Sequence, residues 1–353
     1  VYDHPTGTWT SKSPFTFTGD LITRAYVNGR SFVCYEGTKV CEYDATTGIL
    51  NTLALVLPIG YAMSQVRGIG GASNYLLLFT DLEVLWCSPL NVLDFADIDH
   101  GAGGQIPNDL KGKITAILPV DGGFIVYSAR NAVGATYTNQ ASSPFVFKEV
   151  ANSGGIPSYE QITADLNGSY HYAWSSAGLQ RLNRLKAEPF ATDITDFLTS
   201  QLTESWDPLA KKVLTASIGS PYNVKLSHVA NRYVVVSYGQ ERRKYDAAFI
   251  YDEALERWGK LKVEHADVFM HPYPTSAGDY FYSQLPGFYS DLGDATYADL
   301  DVIRLQITQP KRGIAFLAMD GAISILATSF VQSSATSVAI FGHFQSRRER
   351  MIT

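Results

Sequence analysis

Two acidic loops contain the residues of this sequence that could bind a metal ion. The first, in the segment DFADIDHG, combines closely spaced aspartates with a histidine: Asp94, Asp97, Asp99 and His100. The second contains four more aspartates: Asp291, Asp294, Asp299 and Asp301. A calcium loop places carboxylates at alternate positions around a glycine and ends with a distal glutamate. Neither loop has that spacing, so we interpret both as acidic loops at the edges of strands, with calcium binding as the alternative.

Known catalytic motifs are absent from the sequence. It has no G-x-S-x-G turn, no H-E-x-x-H motif and no phosphate-binding loop, and it lacks the repeated S-x-D-x-G-x-x-W box of sialidase-type hydrolases. The histidines lack the spacing of metal ligands; five of them are His171, His228, His265, His271 and His343. We therefore expect no catalytic residue, no metal and no cofactor, and we predict that the protein is not an enzyme.

The three cysteines do not form a recognisable framework. Cys34, Cys41 and Cys87 are an odd number, widely spaced and without a C-x-x-C pair, which argues against a disulfide scaffold or a zinc site. Three small buried hydrophobic side chains are the favoured interpretation, and a Cys34–Cys41 bridge within one hairpin is the alternative.

Two basic clusters stand out in a chain whose net charge is −6. One consists of Arg242, Arg243 and Lys244, and the other of Arg347, Arg348 and Arg350. Solvent-exposed charge is one interpretation, and a contact to a neighbouring subunit or to DNA is the other. Arginine suits bidentate pairing with carboxylates and phosphates. Of the two possible contacts we favour the one to a subunit, with an acidic loop such as that from Asp291 to Asp301 as its partner.

The composition favours strands and tight turns. The chain has 21 Tyr, 18 Phe, 29 Gly and 15 Pro, whereas charged residues make up only 18%. Aromatic residues are enriched in strands, and Gly and Pro in turns. The negative net charge is unlike that of proteins that bind nucleic acid through its phosphates. A mildly acidic channel lining would nevertheless let DNA slide through, because it repels the phosphate backbone. No apolar run reaches the length of a membrane span, so we expect none.

A repeated hairpin organises the whole chain. Seven times an apolar strand is followed by a polar turn and a second strand, with a mean spacing of about 47 residues, which is typical of propeller blades. The hairpins lie at 32–43, 75–86, 124–137, 170–182, 233–251, 280–289 and 314–326. The first strand of each pair is almost entirely apolar, as expected for a strand buried on both faces.

These hairpins predict an all-β fold, a six- or seven-bladed β-propeller of antiparallel sheets over residues 1–353. Each hairpin would form the middle of a four-stranded blade; a β-sandwich is the competing architecture. The longest step between hairpins implies an insertion at about 190–215. There, Asp193 to Thr203 has apolar residues at helical spacing, with Thr192 or Asp193 as the cap, which predicts a short helix.

The fifth hairpin contains the most specific motif. Ala247 to Val263 reads AAFIYDEALERWGKLKV, and three further segments have related patterns: Tyr172–Leu182, Lys311–Gly321 and Gly342–Ile352. Together they resemble the tail hub, nozzle or packaged-DNA stabilisation proteins of short-tailed bacteriophages, over about residues 170–352. We assign the residues of the main motif to the blade framework: Tyr251, Asp252, Arg257, Trp258 and Gly259. Asp252 starts the turn, Trp258 caps the blade, and Gly259 allows close strand packing.

The resemblance implies a ring, with six copies as its expected number, below the portal and adaptor of the phage tail. Such a ring retains packaged DNA and conducts it during ejection, and its partners are the portal and adaptor, the tail spike or fibre proteins, and the DNA. The protein would then be assembled in the host bacterial cytoplasm and located in the virion. Longer members of the family continue past this point, which leaves room for a further C-terminal domain beyond this chain.

Two other function classes remain open at this level. A receptor- or glycan-binding propeller of a tail spike would expose aromatic residues in its loops, for which the candidates are Trp206, Tyr273 and Tyr282. A propeller glycoside hydrolase would need two carboxylates at a set separation, and a carbohydrate-cleavage assay separates it from the other classes.

Overall fold

The computed structural model describes residues 2–3, 8–9, 21–138, 140, 143–165, 167–217, 223–241, 243–273, 311–319 and 323–325. Strands β1 (Tyr2–Asp3) and β2 (Thr8–Trp9) form a small two-stranded sheet of their own. The strands from β3 to β25 build the sheets of the main body.

Five four-stranded antiparallel sheets follow one another along the chain, and in each the spatial order of strands is the sequence order. Blade 1 consists of β3 (Ile22–Val27), β4 (Arg30–Tyr35), β5 (Lys39–Asp44) and β6 (Ile49–Thr52). Blade 2 consists of β7 (Gly68–Ala72), β8 (Tyr75–Phe79), β9 (Val84–Trp86) and β10 (Gly103–Gln105). Blade 3 consists of β11 (Ile114–Val120), β12 (Gly123–Ser128), β13 (Ala132–Tyr137) and β14 (Phe145–Glu149).

The last two complete blades follow the same plan. Blade 4 consists of β15 (Ile162–Ala164), β16 (His171–Ser175), β17 (Gly178–Leu182) and β18 (Ala187–Pro189). Blade 5 consists of β19 (Val224–Val229), β20 (Tyr233–Tyr238), β21 (Ala247–Asp252) and β22 (Arg257–Leu261). The first five predicted hairpins are the second and third strands of these blades.

The blades are arranged around an axis, as in a β-propeller. The first strand of each blade contacts the first strand of the next, from β3 to β7, β11, β15 and β19. The ring curves back on itself, because the side chain of Tyr159, just before blade 4, interacts with the backbone of Arg24 in blade 1. Radial sheets with sequential strands around such an axis define the propeller architecture.

The predicted number of six or seven blades is wrong for the described part of the chain, which contains five complete blades and a three-stranded sheet. In that sheet β23 (Asp267–Tyr273) pairs along its whole length with β24 (Lys311–Leu317), and β24 pairs with β25 (Ile323–Ile325). The predicted hairpin at 280–289 lies between two paired strands and outside the described residues. β23 and β24, the first strand of the seventh predicted hairpin, therefore belong to one sheet, although a long connection separates them in the sequence.

The second strands form the core between blades. In β8, β12, β16 and β20 nearly every side chain is buried on both faces, because blades pack against each other on both sides. One apolar cluster joins blades 1, 2 and 3, and another joins blades 4 and 5 with the helices between them. Burial of this apolar surface is the main stabilising contribution to the fold.

The first strand of blade 2 has the sequence GIGGA because its neighbours leave no room for side chains. A Cβ on Gly70 would approach Ile117 of blade 3 to 2.8 Å, and one on Gly71 would approach the backbone oxygen of Tyr26 in blade 1 to 2.8 Å. The side chain of Thr23 in blade 1 accepts a hydrogen bond from the backbone of Ile69 at 2.8 Å. Glycine is thus required here for close approach of three inner strands.

Three short helices, not one, lie between blades 4 and 5. They are α1 (Asp193–Thr199), α2 (Gln201–Trp206) and α3 (Pro208–Ser217). Ser200 breaks the first helix because its backbone is extended, and its hydroxyl caps the second. The Asp207 carboxylate accepts from the backbone of Ala210 at 3.0 Å and caps the third. Among the described residues no helix is long and apolar enough to cross a membrane.

All three cysteines are free and buried. Cys34 lies opposite Val40, and Cys41 lies opposite Val33. Because neighbouring residues of a strand point to opposite faces, the side chains of Cys34 and Cys41 lie on different faces of blade 1. Burial raises the pKa of the Cys34 thiol to about 12 and that of Cys87 to about 11, so these thiols are poor nucleophiles at neutral pH.

Candidate functional site

The motif from Ala247 to Val263 forms the outer hairpin of blade 5. Asp252 ends β21, and its carboxylate accepts hydrogen bonds from the backbone of Ala254 at 3.0 Å and of Leu255 at 3.3 Å. Arg232 donates to both carboxylate oxygens, at 2.8 and 2.6 Å. The Arg232 guanidinium and these backbone donors hold the pKa of Asp252 below its usual value. Asp252 therefore fixes the turn of the hairpin.

Trp258 anchors the same hairpin to the body of the protein. Its side chain is only 3% exposed, and its ring packs at 5.1 Å from that of Tyr251 and perpendicular to that of Phe249. It belongs to the apolar cluster that joins blade 5 to the helices. Gly259 lies opposite Ile250 in the ladder, and the exposed Arg257 lies opposite Asp252. Of these residues, only Arg257 presents a charged side chain to solvent.

A buried ion pair links this hairpin to the helical insertion. Lys260 donates to the carboxylate of Asp207, and the two side chains are 6% and 7% exposed. The Tyr238 hydroxyl also donates to Asp207, at 2.8 Å, and the Lys260 ammonium lies 4.7 Å from the centre of the Trp206 ring. Burial lowers the pKa of Lys260, whereas Asp207 acts in the opposite direction. The pair is enclosed by protein and serves to hold α3 against blade 5.

The first basic cluster contacts acids of its own chain. Arg243 donates to Glu160, which precedes blade 4, at 3.1 Å, and Lys244 lies 3.3 Å from Glu264. Arg242 lies outside the described residues, as do Arg347, Arg348 and Arg350. Both described cations therefore have an intrachain partner, a pairing that the sequence analysis did not foresee.

The acidic loop of blade 2 is organised by internal hydrogen bonds. Asp94 accepts from the backbone of Ala96 at 2.9 Å and of Asp97 at 3.1 Å. The Asp97 carboxylate lies 2.8 Å from the ring of His100 and raises the pKa of that exposed histidine. Among the described residues no group of three or more potential ligands could hold a metal ion. The second acidic loop, Asp291, Asp294, Asp299 and Asp301, lies outside the described residues.

Two of the predicted histidines, His171 and His265, are buried in hydrogen-bond networks. The ring of His171 lies 2.6 Å from the Tyr127 hydroxyl and 2.7 Å from the Pro119 carbonyl oxygen, and burial lowers its pKa to about 4. His265 contacts the Ser237 hydroxyl at 2.8 Å. These rings are enclosed by blades and serve as packed polar groups. The side chain of His271 and all of His343 lie outside the described residues.

Tyr172, His228 and Glu253 form a polar cluster between blades 4 and 5 that the sequence analysis missed. Tyr172 donates to one oxygen of Glu253, and the His228 ring lies 3.1 Å from the other. The Tyr172 and His228 rings pack with centres 5.1 Å apart, and burial together with Glu253 raises the pKa of Tyr172. No motif links three residues from separate strands and turns, so only the fold brings them together. Both Glu253 oxygens are engaged, which makes this a structural network.

The aromatic candidates for a receptor site are only partly described. Trp206 is 46% exposed on α2, and its ring packs perpendicular to that of Phe197 at 5.8 Å. The side chain of Tyr273 and all of Tyr282 lie outside the described residues. Of the three candidates, Trp206 is therefore the one whose side chain is described, and its ring lies over the buried ammonium of Lys260.

Comparison with known proteins finds similarity in structure alone. No family model matches the chain, and no curated protein sequence matches it. Among solved structures, dihydro-heme d1 dehydrogenase NirN is 12% identical with a TM-score of 0.40, and the match covers 72% of this chain and 49% of that one. The WD40 β-propeller domain of Doa1 is 11% identical with a TM-score of 0.39, covering 70% of each chain. AztD of Citrobacter koseri is 9% identical with a TM-score of 0.39, covering 71% and 72%.

The chain spans about half the length of the NirN chain that it matches. The assignment as a propeller therefore rests on the strand order and on the contacts between successive first strands.

Proposed function

We propose that this protein is a structural component of the tail of a short-tailed bacteriophage, a nozzle or hub that assembles into a ring below the portal and adaptor. The ring retains packaged DNA and conducts it during ejection. In this proposal the protein is not an enzyme, is located in the virion, and has the adaptor, the portal and the tail spike or fibre proteins as its partners. Six is the expected number of subunits.

The observation that carries the proposal is the motif of blade 5. Its sequence resembles the tail proteins most specifically, and its residues act as framework: Asp252 closes a turn, Trp258 fills the core, and Lys260 holds the insertion. The most specific motif of this chain thus consists of side chains that hold the fold together, as expected for a structural subunit. In an enzyme we would expect the residues of such a motif to include polar groups that converge on an open site.

The contacts of the first basic cluster bear on how the ring would assemble. Arg243 and Lys244 are paired within the chain, so they are less suited to a contact with a neighbouring subunit or with DNA. This leaves Arg242, Arg347, Arg348 and Arg350 as the candidates for those contacts. Of the two possible contacts we still prefer the one to a subunit, because basic residues that face acidic residues of the next subunit fix how the two subunits align.

Imaging of the purified chain tests the proposal. We expect ring-shaped particles by negative-stain electron microscopy, with a mass of several subunits by light scattering. An Arg242→Glu variant should weaken assembly, whereas the matched Arg243→Glu variant should assemble normally because Arg243 pairs within the chain. A chain that stays monomeric at micromolar concentration contradicts the ring. If the Arg242→Glu variant forms normal rings but loses a salt-dependent DNA binding that the wild-type protein shows, a DNA contact is favoured instead.

A further inference from the structure

A cleft lies where the first turns of blades 2, 3 and 4 converge. Its cavity of about 380 Å³ is bounded by Ser73 of blade 2, by the turn from Pro119 to Gly123 in blade 3, and by Gly168 of blade 4. Tyr137 and Phe145, on the facing ends of β13 and β14, form one wall. The size falls within the range of about 300–1,000 Å³ that is usual for small-molecule sites.

One wall of the cleft is aromatic and held in place. The Tyr137 ring is 39% exposed, and its centre lies 6.0 Å from that of Phe145 and 6.1 Å from that of Tyr75. The Tyr75 and Phe145 rings beneath it meet edge to face at 5.2 Å and are buried. Tyr137 is thus a supported ring whose exposed part borders the cavity.

Another part of the cleft lining, the turn that contains Asp121, is polar. Asp121 is exposed, and one of its carboxylate oxygens accepts from the Ser169 hydroxyl at 3.0 Å. Its backbone N–H donates to the Gly168 carbonyl at 2.9 Å, which ties the turns of blades 3 and 4 together. Arg184 of blade 4 donates to the backbone carbonyls of Asp121 and Gly122. The carboxylate is therefore presented on a turn that three hydrogen bonds hold in place.

We propose that this cleft binds a pyranose sugar, with the Tyr137 ring under its apolar face and Asp121 accepting from its hydroxyls. A purely apolar ligand would desolvate the Asp121 carboxylate without replacing its hydrogen bonds. The Asp121 carboxylate and the Arg184 guanidinium at the same turn carry opposite charges, so together they favour neither an anion nor a cation. A neutral ligand with hydroxyls on its edge and C–H groups on one face satisfies both walls.

Ligand-detected NMR on the full chain tests this inference. Saturation-transfer difference spectra are recorded with the methyl glycosides of glucose, galactose, mannose, N-acetylglucosamine and rhamnose at millimolar concentration. We expect at least one to bind, with the strongest saturation on the C–H protons of one ring face. Tyr137→Ala and Asp121→Asn should each weaken binding by about tenfold, as expected for the loss of one aromatic or charged hydrogen-bonding contact.

Tyr26→Ala is the matched control, because Tyr26 is a 70% exposed tyrosine on blade 1, outside the cleft. Thermal unfolding shows whether each variant is folded. If no glycoside binds, or if Tyr26→Ala weakens binding as much as Tyr137→Ala does, the inference is overturned. Ring assembly is measured separately by imaging, so this inference and the proposed tail function succeed or fail independently.

Discussion

Removing the ammonium of Lys260 tests whether the buried ion pair holds the helical insertion on blade 5. We choose Lys260→Met because methionine keeps much of the length and apolar volume of the side chain. In the wild-type protein the ammonium contacts the Asp207 carboxylate and lies near the Trp206 and Phe249 rings, 4.7 and 5.9 Å from their centres. The substitution leaves the carboxylate of Asp207 buried without its cation.

The expected cost follows from the contacts that remain. Removing one partner of a buried ion pair destabilises a protein by about 3–5 kcal/mol. Asp207 still accepts from the Tyr238 hydroxyl at 2.8 Å and from the backbone of Ala210 at 3.0 Å. We therefore place Lys260→Met at the lower end, about 3 kcal/mol, and Asp207→Ala at the upper end, about 5 kcal/mol, because the second change also removes a helix cap.

Urea unfolding monitored by tryptophan fluorescence measures both free energies of unfolding. The double variant Lys260→Met/Asp207→Ala should cost less than the sum of the two single changes, because it leaves no unpaired buried charge. Lys111→Met is the control: its ion pair with Glu149 is largely exposed, so its loss should cost under about 1 kcal/mol.

Hydrogen exchange locates the effect within the molecule. In the Lys260→Met variant the amides of α3 should lose protection before those of blades 1 to 3 do. If Lys260→Met changes the free energy of unfolding by less than about 1 kcal/mol, or if the two substitutions are additive, the pair does not hold the insertion and our reasoning fails.

Three further predictions concern the core, pH and the basic cluster. Trp258→Ala should lower the free energy of unfolding by about 3–5 kcal/mol. Trp258→Phe should cost much less, because the buried indole N–H that it removes has no hydrogen-bond partner among the described residues. Denaturant titration compares the two variants. The pKa of His171 falls from 6.5 to about 4 in the folded state, so the unfolded state binds more protons below pH 6.5 and the protein should lose about 3 kcal/mol of stability between pH 6.5 and 4. A pH series of unfolding experiments checks this. His171→Gln should flatten the slope, whereas His100→Gln should not, because the raised pKa of His100 acts in the opposite sense. Arg243→Glu should cost under about 1 kcal/mol in stability, and Glu160→Arg should restore that loss when the two are combined; a larger loss without rescue would contradict the intrachain pairing.

The propeller could be predicted from the sequence because its repeat is local. A two-strand hairpin with an apolar first strand, such as Tyr75–Phe79 before Val84–Trp86, is encoded within a dozen residues. Its recurrence at similar spacing shows that the same unit is stacked several times. The buried second strands of the complete blades agree with that pattern.

The number of blades could not be obtained in this way, because spacing does not show which strands pair. Asp267–Tyr273 pairs with Lys311–Leu317 across a long connection, and loop closure becomes only slowly more costly as a loop lengthens. A hairpin-like pattern inside that connection therefore looks the same in the sequence as a blade of its own. The helices were underestimated for a different reason: Ser200 and Asp207 each cap the backbone three residues further on, and these two local caps were not recognised in the sequence.

The polar contacts show the same limit at the level of single residues. The sequence drew attention to Arg243 because it lies in a cluster of cations, yet its partner Glu160 is 83 residues away. Asp207 was not singled out and Lys260 was noted only as part of the motif, although the two form a buried ion pair. Both pairs connect an outer blade element to the segment that precedes or follows blade 4, and no local pattern encodes such a contact. Charge clusters in a repeat protein are therefore weak indicators of a binding surface until the neighbouring repeat is in place, whereas a cleft such as that beside Tyr137 is created by the assembly of the blades itself.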